Sequence, residues 1–311
     1  MRPPLEAVTA DNKGPILTVV GFSCFFITFL IVLAKLGSSV YTKAIFWNCD
    51  VPLWIALLLA FLQTLLIQFT VDHGLGQHRD KLSAYTFSRY SKLTYAAQLL
   101  LILALYLSKA STCLLVHHLT PKRQITRASS ILLAVITVWM VFALLGTALQ
   151  CSSPRWEYLP NRCAGEGAIA YPIIVFNIAT DLALIIIPIV MLWTVQMTWQ
   201  KRLQVISAFA SRVLAVIVSL VELALLPKYL KSTDPTWTIV NVAICNELMM
   251  YVSIIASCMP SLYRVLRSLT TGLNDMHLSG DIELFTTTPG SSSRYNRSGS
   301  HNPNTKRSSL L

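Results

Sequence analysis

Seven apolar runs, each long enough to cross a bilayer, constrain this chain more than any other feature. A hydrocarbon core about 30 Å thick requires about 20 mostly apolar residues per helical span. Such runs cover residues 16–36, 51–71, 93–116, 128–149, 168–195, 205–226 and 238–258. Charged residues make up 13% of the chain, well below the roughly one quarter that is typical of soluble domains. The sequence therefore predicts an all-α polytopic membrane protein with a seven-helix transmembrane bundle.

These runs divide the chain into three parts. We expect residues 1–15 to form a short extracytoplasmic N-terminus, residues 16–268 the transmembrane domain, and residues 269–311 a disordered cytosolic tail. The tail is rich in Ser, Thr, Asn and Gly and holds too few apolar residues to bury a core. The first run is too long for a signal peptide and lacks a small-residue cleavage site, so we expect it to remain as a helix.

Basic residues indicate the orientation, because loops rich in Lys and Arg tend to face the cytoplasm. With the N-terminus outside, fourteen Lys and Arg residues, Arg212 among them, fall on the inner side and ten on the outer side. This modest bias favours a cytosolic C-terminus and leaves the plasma membrane and an endomembrane as alternatives. The net charge of +11 then lies beside anionic lipid head groups. No basic patch interleaved with aromatic residues indicates a nucleic-acid surface, so we expect no nucleic-acid partner.

Two cysteines bracket the loop that follows the fourth run. Cys151 and Cys163 enclose the segment CSSPRWEYLPNRC, which the predicted orientation places on the oxidising side of the membrane. A disulfide there would close a loop of about a dozen residues and stabilise it by roughly 3 kcal/mol. We predict this disulfide; two free loop thiols are the alternative.

Ionisable residues inside the runs form a candidate site. Asp181 lies in the fifth run and Glu247 in the seventh, and at a rise of about 1.5 Å per residue both fall near the bilayer midplane. Lys109, in the third run, is near enough in depth for its long side chain to reach Asp181. Asn177 lies one turn before Asp181 on the same face, which must point inward because a lipid-exposed charge costs at least about 3 kcal/mol. We therefore predict one hydrogen-bonded cluster of Lys109, Asn177 and Asp181.

A wider set of polar side chains is predicted to be buried in the bundle. The set consists of Lys109, Asn177, Asp181, Glu222, Asn246 and Glu247. We expect Glu222, nearer the outer end of the sixth run, to reach the interface or to meet Lys228. Two interpretations remain open, a polar network that holds the helices together and a working ligand, proton-relay or acid–base site. A structural role predicts that Asp181→Asn changes little, whereas a working acid predicts a folded protein without function.

The segment DHGLGQH at residues 72–78 follows the second run. We expect Gly74 and Gly76 to shape a tight turn there and His78 to lie at the interface. His73 and His78 are on a loop without a Cys partner, so their spacing matches no metal-ligand pattern. The chain also carries no P-loop, nucleophile elbow or zinc signature, and we predict no metal site.

Six motifs occur in a characteristic order. They are DHGLGQH at 72–78, LALYLSKASTCLL at 103–115, the loop with Cys151, Trp156 and Cys163, NIATDLALIIIPIVMLWTVQMTWQKR at 177–202, DPTW at 234–237 and NELMMYVSIIASCMPSLYRVL at 246–266. Together they resemble the fungal rhodopsin-like integral membrane protein family, which includes the membrane protein of the satratoxin gene cluster and receptor-like proteins tied to plant infection. The family-pattern positions present here are Lys109, Asp181, Glu247, Gly74, Gly76, His78, Cys151, Cys163 and Pro260. Glu222 stands where the resemblance leads us to expect Arg.

The resemblance implies one of two roles that are not enzymatic. These are an accessory membrane component of secondary-metabolite biosynthesis, of the mycotoxin type, and a receptor-like sensor of a small apolar molecule. An intramembrane cyclase or isomerase is the alternative, with Asp181, Glu247 and Lys109 as candidate catalytic residues acting on a lipophilic substrate. The lack of a two-fold internal repeat disfavours a transporter.

The expected partners follow from these roles. They are the lipid bilayer, a small apolar ligand or metabolite, and a cytosolic signalling or biosynthetic partner. We expect no cofactor and specifically no retinal, because the seventh run contains no Lys that could form a Schiff base.

The orientation can be tested with protease protection of membrane vesicles whose cytosolic face is outward. A tag at the N-terminus should be protected from added protease, and a tag after Leu311 should be removed. The reverse pattern would refute the predicted orientation.

Overall fold

The fold is an α-helical bundle, seen in a computed structural model that describes residues 12–41, 47–119, 123–152, 156, 163, 167–194, 199–232 and 234–284. Seven α-helices run through these residues: α1 Gly14–Tyr41, α2 Trp47–Asp72, α3 Ala84–Leu119, α4 Arg123–Leu149, α5 Ala170–Thr194, α6 Trp199–Leu230 and α7 Pro235–Leu284. A short 3-10 helix, Arg79–Lys81, lies between α2 and α3. Each α-helix contains a segment long and apolar enough to cross a bilayer, so the predicted seven-helix membrane fold is confirmed.

Helix α3 begins at Ala84, well before residue 93, where the apolar run begins. Ser83 caps the helix, because its Oγ accepts a hydrogen bond from the amide of Thr86 at 3.2 Å. Phe87 and Tyr90 in this first part are buried and pack in one cluster with Leu75. Polar neighbours lower the hydropathy of residues 84–92 without preventing one face from packing.

Helix α7 also extends beyond its predicted end. It continues to Leu284, past residue 269, where the disordered tail was expected to begin. Apolar residues at 269, 273 and 276 recur with helical spacing, which favours continuation of the helix. The compact unit that contains the bundle ends at Arg267, and a second compact unit begins at Ser268. The rest of the predicted tail, residues 285–311, and most of the predicted N-terminus, residues 1–11, lie outside the described residues.

Helices α3 and α7 form the centre of the bundle. In each of them 67% of the most apolar segment is buried, compared with 22% in α1. The largest apolar cluster joins Leu105 of α3, Trp139 of α4 and Ile254 of α7. By contrast, Phe26 of α1 and Val138 of α4 are 62% and 69% exposed. These outward apolar faces fit a hydrocarbon environment, because the backbone polar groups behind them are satisfied within the helices.

The predicted disulfide is present between Cys151 and Cys163, in the connection from α4 to α5. The two residues also pair as an isolated β-bridge. We call the end of the bundle that holds them the disulfide end. Helices α2, α4 and α6 end there, and α3, α5 and α7 begin there.

The turn after α2 holds the start of α1 against the start of α7. Gly74 and Gly76 have φ angles of 102° and 92°, in the region that favours glycine. The amide of Gly76 donates to the carbonyl of Thr236 at 3.0 Å, and its carbonyl accepts from the amide of Lys13 at 3.1 Å. A Cβ atom at Gly76 would lie 2.4 Å from the backbone nitrogen of Gly14. Both predicted glycines are therefore at positions where a side chain is strained.

His78 contacts both Asp234 and Trp237 and so connects the same loop to the start of α7. Its Nδ1 lies 2.6 Å from Oδ2 of Asp234, and its ring stacks on Trp237 with the ring centroids 4.4 Å apart. The Nζ of Lys13 lies 4.1 Å from the centroid of the Trp237 ring. Burial raises the pKa of Asp234, but hydrogen bonds from His78 and from the amide of Arg79 outweigh burial, so that pKa lies below its ordinary value.

Replacement of Gly76 tests this packing at the disulfide end. Gly76→Ala should lower the free energy of unfolding by at least about 1–2 kcal/mol, because it forces a positive φ on an L-residue and places Cβ against backbone. The measurement is thermal denaturation of the purified protein in detergent. Gly37→Ala is the matched control, since a Cβ at Gly37 meets nothing within 4 Å. Equal melting temperatures for the two variants would contradict the packing.

Candidate functional site

A buried carboxylate between two cations forms the centre of the candidate site. Oδ2 of Asp181 lies 3.1 Å from Nζ of Lys109, and Oδ1 of Asp181 lies 3.0 Å from Nη1 of Arg212. The side chains of Lys109 and Arg212 are fully buried, and that of Asp181 is 1% exposed. We call Lys109, Asp181 and Arg212 the charge cluster. It joins the three helices α3, α5 and α6 inside the bundle.

Lys109 binds one face of α5 through four oxygen atoms, counting the carboxylate. Its Nζ donates to the backbone carbonyl of Asn177 at 2.8 Å, to Oδ1 of Asn177 at 2.7 Å and to Oγ1 of Thr180 at 2.8 Å. Thr180 and Asp181 lie three and four residues after Asn177, so one helical face presents all three to the lysine. The structure thus brings together Lys109, Asn177 and Asp181, the three residues that helical spacing and depth predict to be one cluster.

Arg212 connects the charge cluster to α7. Its Nη2 donates to Oγ1 of Thr112 and, at 3.0 Å, to Oγ of Ser257. The hydroxyl of Ser257 in turn donates to the carbonyl of Ser108 on α3 at 2.9 Å, and the hydroxyl of Ser108 donates to the carbonyl of Ser253 at 2.8 Å. Small hydroxyl side chains of this kind allow α3 and α7 to approach closely while their polar atoms remain bonded.

The charge cluster contains two cations and one anion. Ion pairs cut off from water depend on every bond they make, because an uncompensated buried charge is costly. The neutral oxygens of Asn177, Thr180, Thr112 and Ser257 complete the bonding of the two cations. Nε of Arg212 is a buried donor without a partner among the described residues. Asp181 is therefore the counter-ion on which both cations rely.

Sequence reasoning missed Arg212, which it counted among the charges of the inner side. The structure corrects this assignment, because Arg212 is wholly buried and binds Asp181. A signal was present in the sequence, since Arg212 lies seven residues inside the run 205–226. An arginine at that depth requires an internal partner. Its removal from the inner side makes the charge bias behind the predicted orientation smaller still.

Glu247 belongs to a separate group between α2 and α7. Its Oε2 accepts from Oγ1 of Thr64 at 3.1 Å, and the hydroxyls of Thr64 and Tyr251 lie 2.6 Å apart. Gln63 also forms a side-chain hydrogen bond with Glu247. These partners are uncharged, and Oε1 of Glu247 has no partner among the described residues. The predicted set of six buried polar residues is therefore divided between different parts of the bundle.

A cavity of about 180 Å³ lies between the helices and extends to the disulfide end. Its wall includes apolar side chains such as Leu105 and Ile174, with aromatic rings and a few polar groups. A mainly apolar lining with few polar groups is typical of sites for small organic ligands. The aromatic residues in the wall are Phe87, Tyr90, Tyr95, Trp139, Trp156 and Tyr229.

Glu222 and Asn246 belong to the wall of this cavity. Glu222 on α6 is 6% exposed, and its Oε2 has no hydrogen-bond partner among the described residues. Oδ1 of Asn246 on α7 also has none. The expectation that Glu222 reaches the interface is therefore wrong, because its helix position turns it into the bundle. Arg212, which is buried, lies nearer the start of the same helix.

Asn177 links the cavity to the charge cluster. It lines the cavity, and its Oδ1 accepts from Lys109. Its Nδ2 donates to Oγ of Ser219 and to Sδ of Met249, each at 3.3 Å. Trp139 also lines the cavity, and the centroid of its ring lies 5.2 Å from Nζ of Lys109. A ligand that contacts Asn177 or Trp139 would therefore act on groups next to Lys109.

Asp181, Glu247 and Lys109, the residues proposed for an acid–base enzyme, are not arranged around the cavity. None of the three is part of its wall as the described residues define it. Asp181 is engaged by two cations, and Glu247 binds neutral partners between α2 and α7. Within the described chain no three His, Cys, Asp or Glu residues are grouped as a metal site.

The helices and the buried polar groups define the class of protein, a multi-pass membrane protein with a polar interior. The profile of the fungal rhodopsin domain matches residues 34–268. The chain belongs to the fungal rhodopsin domain family, as its motifs indicate.

Two curated relatives carry informative names. The SAT4 family membrane protein of Emericella nidulans is 27% identical over 199 residues, which cover 61% of this chain and 50% of the relative. Fugralins biosynthesis cluster protein 2 of Gibberella zeae is 24% identical over 155 residues, which cover 49% of this chain and 38% of the relative. The chain thus spans half or less of the length of these relatives. No solved structure is significantly similar to it.

The pairing of Asp181 with two cations changes the expectation for Asp181→Asn. An amide keeps the shape but leaves Lys109 and Arg212 without a counter-ion, so the variant should lose about 3–5 kcal/mol of stability. Folded yield and melting temperature after detergent extraction measure this loss.

Asp50→Asn is the matched control for Asp181→Asn. Asp50 pairs with a single cation, Lys35, at 2.7 Å, and its side chain is 16% exposed. Its replacement should cost less, because it leaves one cation without a counter-ion instead of two. An Asp181→Asn protein as stable as the unaltered protein would show that Asp181 is not the required counter-ion.

Proposed function

We propose that this protein binds a small, mainly apolar molecule in its central cavity and serves secondary metabolism. Its role is that of a receptor-like sensor or of an accessory membrane component of a biosynthetic system. One observation carries the proposal: the cavity is lined by Asn177, whose side chain is bonded to the buried charge cluster. A cavity of this composition suits a small organic ligand.

The position of Asn177 supports a sensing role. Its amide bonds to Lys109 on α3, to Ser219 on α6 and to Met249 on α7. A ligand that favours another position of this amide would shift the balance between two arrangements of those helices. Such a ligand acts only through its different affinity for the two arrangements.

The name of one relative supports the link to metabolism. Fugralins biosynthesis cluster protein 2 is named for a biosynthetic gene cluster, and it resembles part of this chain. We apply the link between this family and secondary metabolism to the present chain because the chain is a member of the family. Binding of retinal is not part of the proposal, because the sequence of α7 contains no lysine.

The predicted orientation places the disulfide end of the bundle outside the cytoplasm. The cavity extends to that end, where Gln150 and Trp156 contribute to its wall. A ligand would therefore reach the cavity from the extracytoplasmic side or from the adjoining leaflet. The opposite end of the bundle would meet a cytosolic signalling or biosynthetic partner.

Gene replacement in the source organism tests the proposal. Ala243 lines the cavity and is 7% exposed, so Ala243→Phe places a ring in the ligand volume. We expect this variant to reproduce the metabolite profile of the deletion strain, measured by mass spectrometry of culture extracts. Overfilling a packed site costs about 1–3 kcal/mol, so the amount of folded protein in the membrane must be measured as well.

Val221→Phe provides the matched control. Val221 lies on the same bundle but is 47% exposed, so the added ring faces outward and the profile should remain that of the unaltered strain. An unchanged profile in both the deletion and the Ala243→Phe strains would refute the proposal. If transcripts of the biosynthetic genes fall with the metabolite, the protein is a sensor; if transcripts are unchanged, it is an accessory component.

A further inference from the structure

The cavity wall lacks hydrogen-bond donors for several of its own acceptors. Oε1 of Gln63, Oε2 of Glu222 and Oδ1 of Asn246 are buried oxygens without a partner among the described residues. A buried acceptor without a donor is costly, so a ligand that donates hydrogen bonds would recover this loss.

The wall also carries one carboxyl side chain and no basic side chain among its described residues. Among the described lining residues, Glu222 is the single Asp, Glu, Lys, Arg or His. Its Oε2 is buried and has no hydrogen-bond partner among the described residues. Glu222 therefore offers a carboxyl group that can pair with a cation, in a wall whose other described side chains are uncharged.

The other side chains of the wall fit a cation. Tyr90, Tyr95 and Tyr229 present aromatic rings, whose faces attract ammonium groups. The rings of Trp139 and Trp156 are already near the ammonium groups of Lys109 and Lys92. The positive charge cluster lies behind Asn177 and does not line the cavity. Ser219, which binds Asn177, is one helical turn before Glu222 on α6, so Glu222 is displaced from the charge cluster toward the disulfide end.

We propose that the cavity selects lipophilic amines, small molecules with an apolar or aromatic body and a protonated amino group. Glu222 is the counter-ion of the amino group, and the oxygens of Asn246 and Gln63 are acceptors available to its N–H groups. This inference rests on the proposed function, since it names the ligand class of the same cavity. A carboxylate ligand binds more weakly, because it repels the ionised carboxyl group of Glu222.

Three probes with one common body test the ligand class. Phenylbutylamine, phenylbutanol and phenylbutyrate differ only in the polar group, as cation, neutral donor and anion. The full-length protein in phosphatidylcholine nanodiscs is titrated with each probe, and binding is followed by tryptophan fluorescence and thermal shift, with empty nanodiscs as the blank. We expect the amine to bind roughly tenfold or more tightly than the alcohol, and the carboxylate to bind most weakly. Equal affinities, or tighter binding of the carboxylate, would overturn the proposal.

Two carboxyl-to-amide variants assign the selectivity to a residue. Glu222→Gln should bring the amine to the affinity of the alcohol and leave the alcohol unchanged. Asp50→Asn, a change at the Lys35–Asp50 pair outside the described cavity wall, should keep the preference for the amine. A full preference in Glu222→Gln would overturn the assignment. If that variant yields no folded protein, the ranking of the three probes on the unaltered protein decides.

The outcomes separate this inference from the proposed function. Binding of all three probes with equal affinity refutes selection of amines and leaves an apolar ligand site in place. Binding of none of them refutes both the amine class and a cavity that binds small apolar molecules.

Discussion

The structure depends on one carboxylate held between two cations. Asp181 of α5 binds Lys109 of α3 and Arg212 of α6, and Arg212 reaches Ser257 of α7. A charge inside a bilayer must be paired within the protein, so the four helices have to assemble around these groups. The cations outnumber the anion, and the surrounding neutral oxygens are therefore required as well. This constraint explains why α3 and α7, which carry so many hydroxyl groups, lie at the centre of the bundle.

The same constraint gives the cavity a connection to the helix core. Asn177 faces the cavity and also completes the bonding of Lys109, so it belongs to both sites. The side-chain amide of Asn177 can form its hydrogen bonds with the protein alone, or it can form some of them with a ligand. Glu222 has a different character, because it lines the cavity and its Oε2 has no hydrogen-bond partner among the described residues. Asn177 links the ligand site to helix packing, and Glu222 gives the site its one acidic side chain among the described residues.

Periodicity and depth were enough to predict the seven spans and the contacts of Lys109 with Asn177 and Asp181. Both rest on helix geometry, which the sequence carries directly. Arg212 was missed because a basic residue near the start of a run was counted as interfacial. The early start of α3 depends on Phe87 and Tyr90 packing beside Leu75, which hydropathy does not reveal. The cavity and the inward direction of Glu222 follow from how six helices meet, and no single segment encodes that arrangement.

A double-mutant cycle between Asp181 and Arg212 tests the central claim most directly. The free energy of unfolding is measured for the unaltered protein, Asp181→Asn, Arg212→Gln and the double variant, in the same detergent and at the same pH. Asp181→Asn leaves both Lys109 and Arg212 without a counter-ion, whereas the double change leaves Lys109 alone without one. The double variant should therefore be more stable than the sum of the two losses by at least about 1 kcal/mol. Losses that add within about 0.5 kcal/mol would show that the two side chains are not coupled.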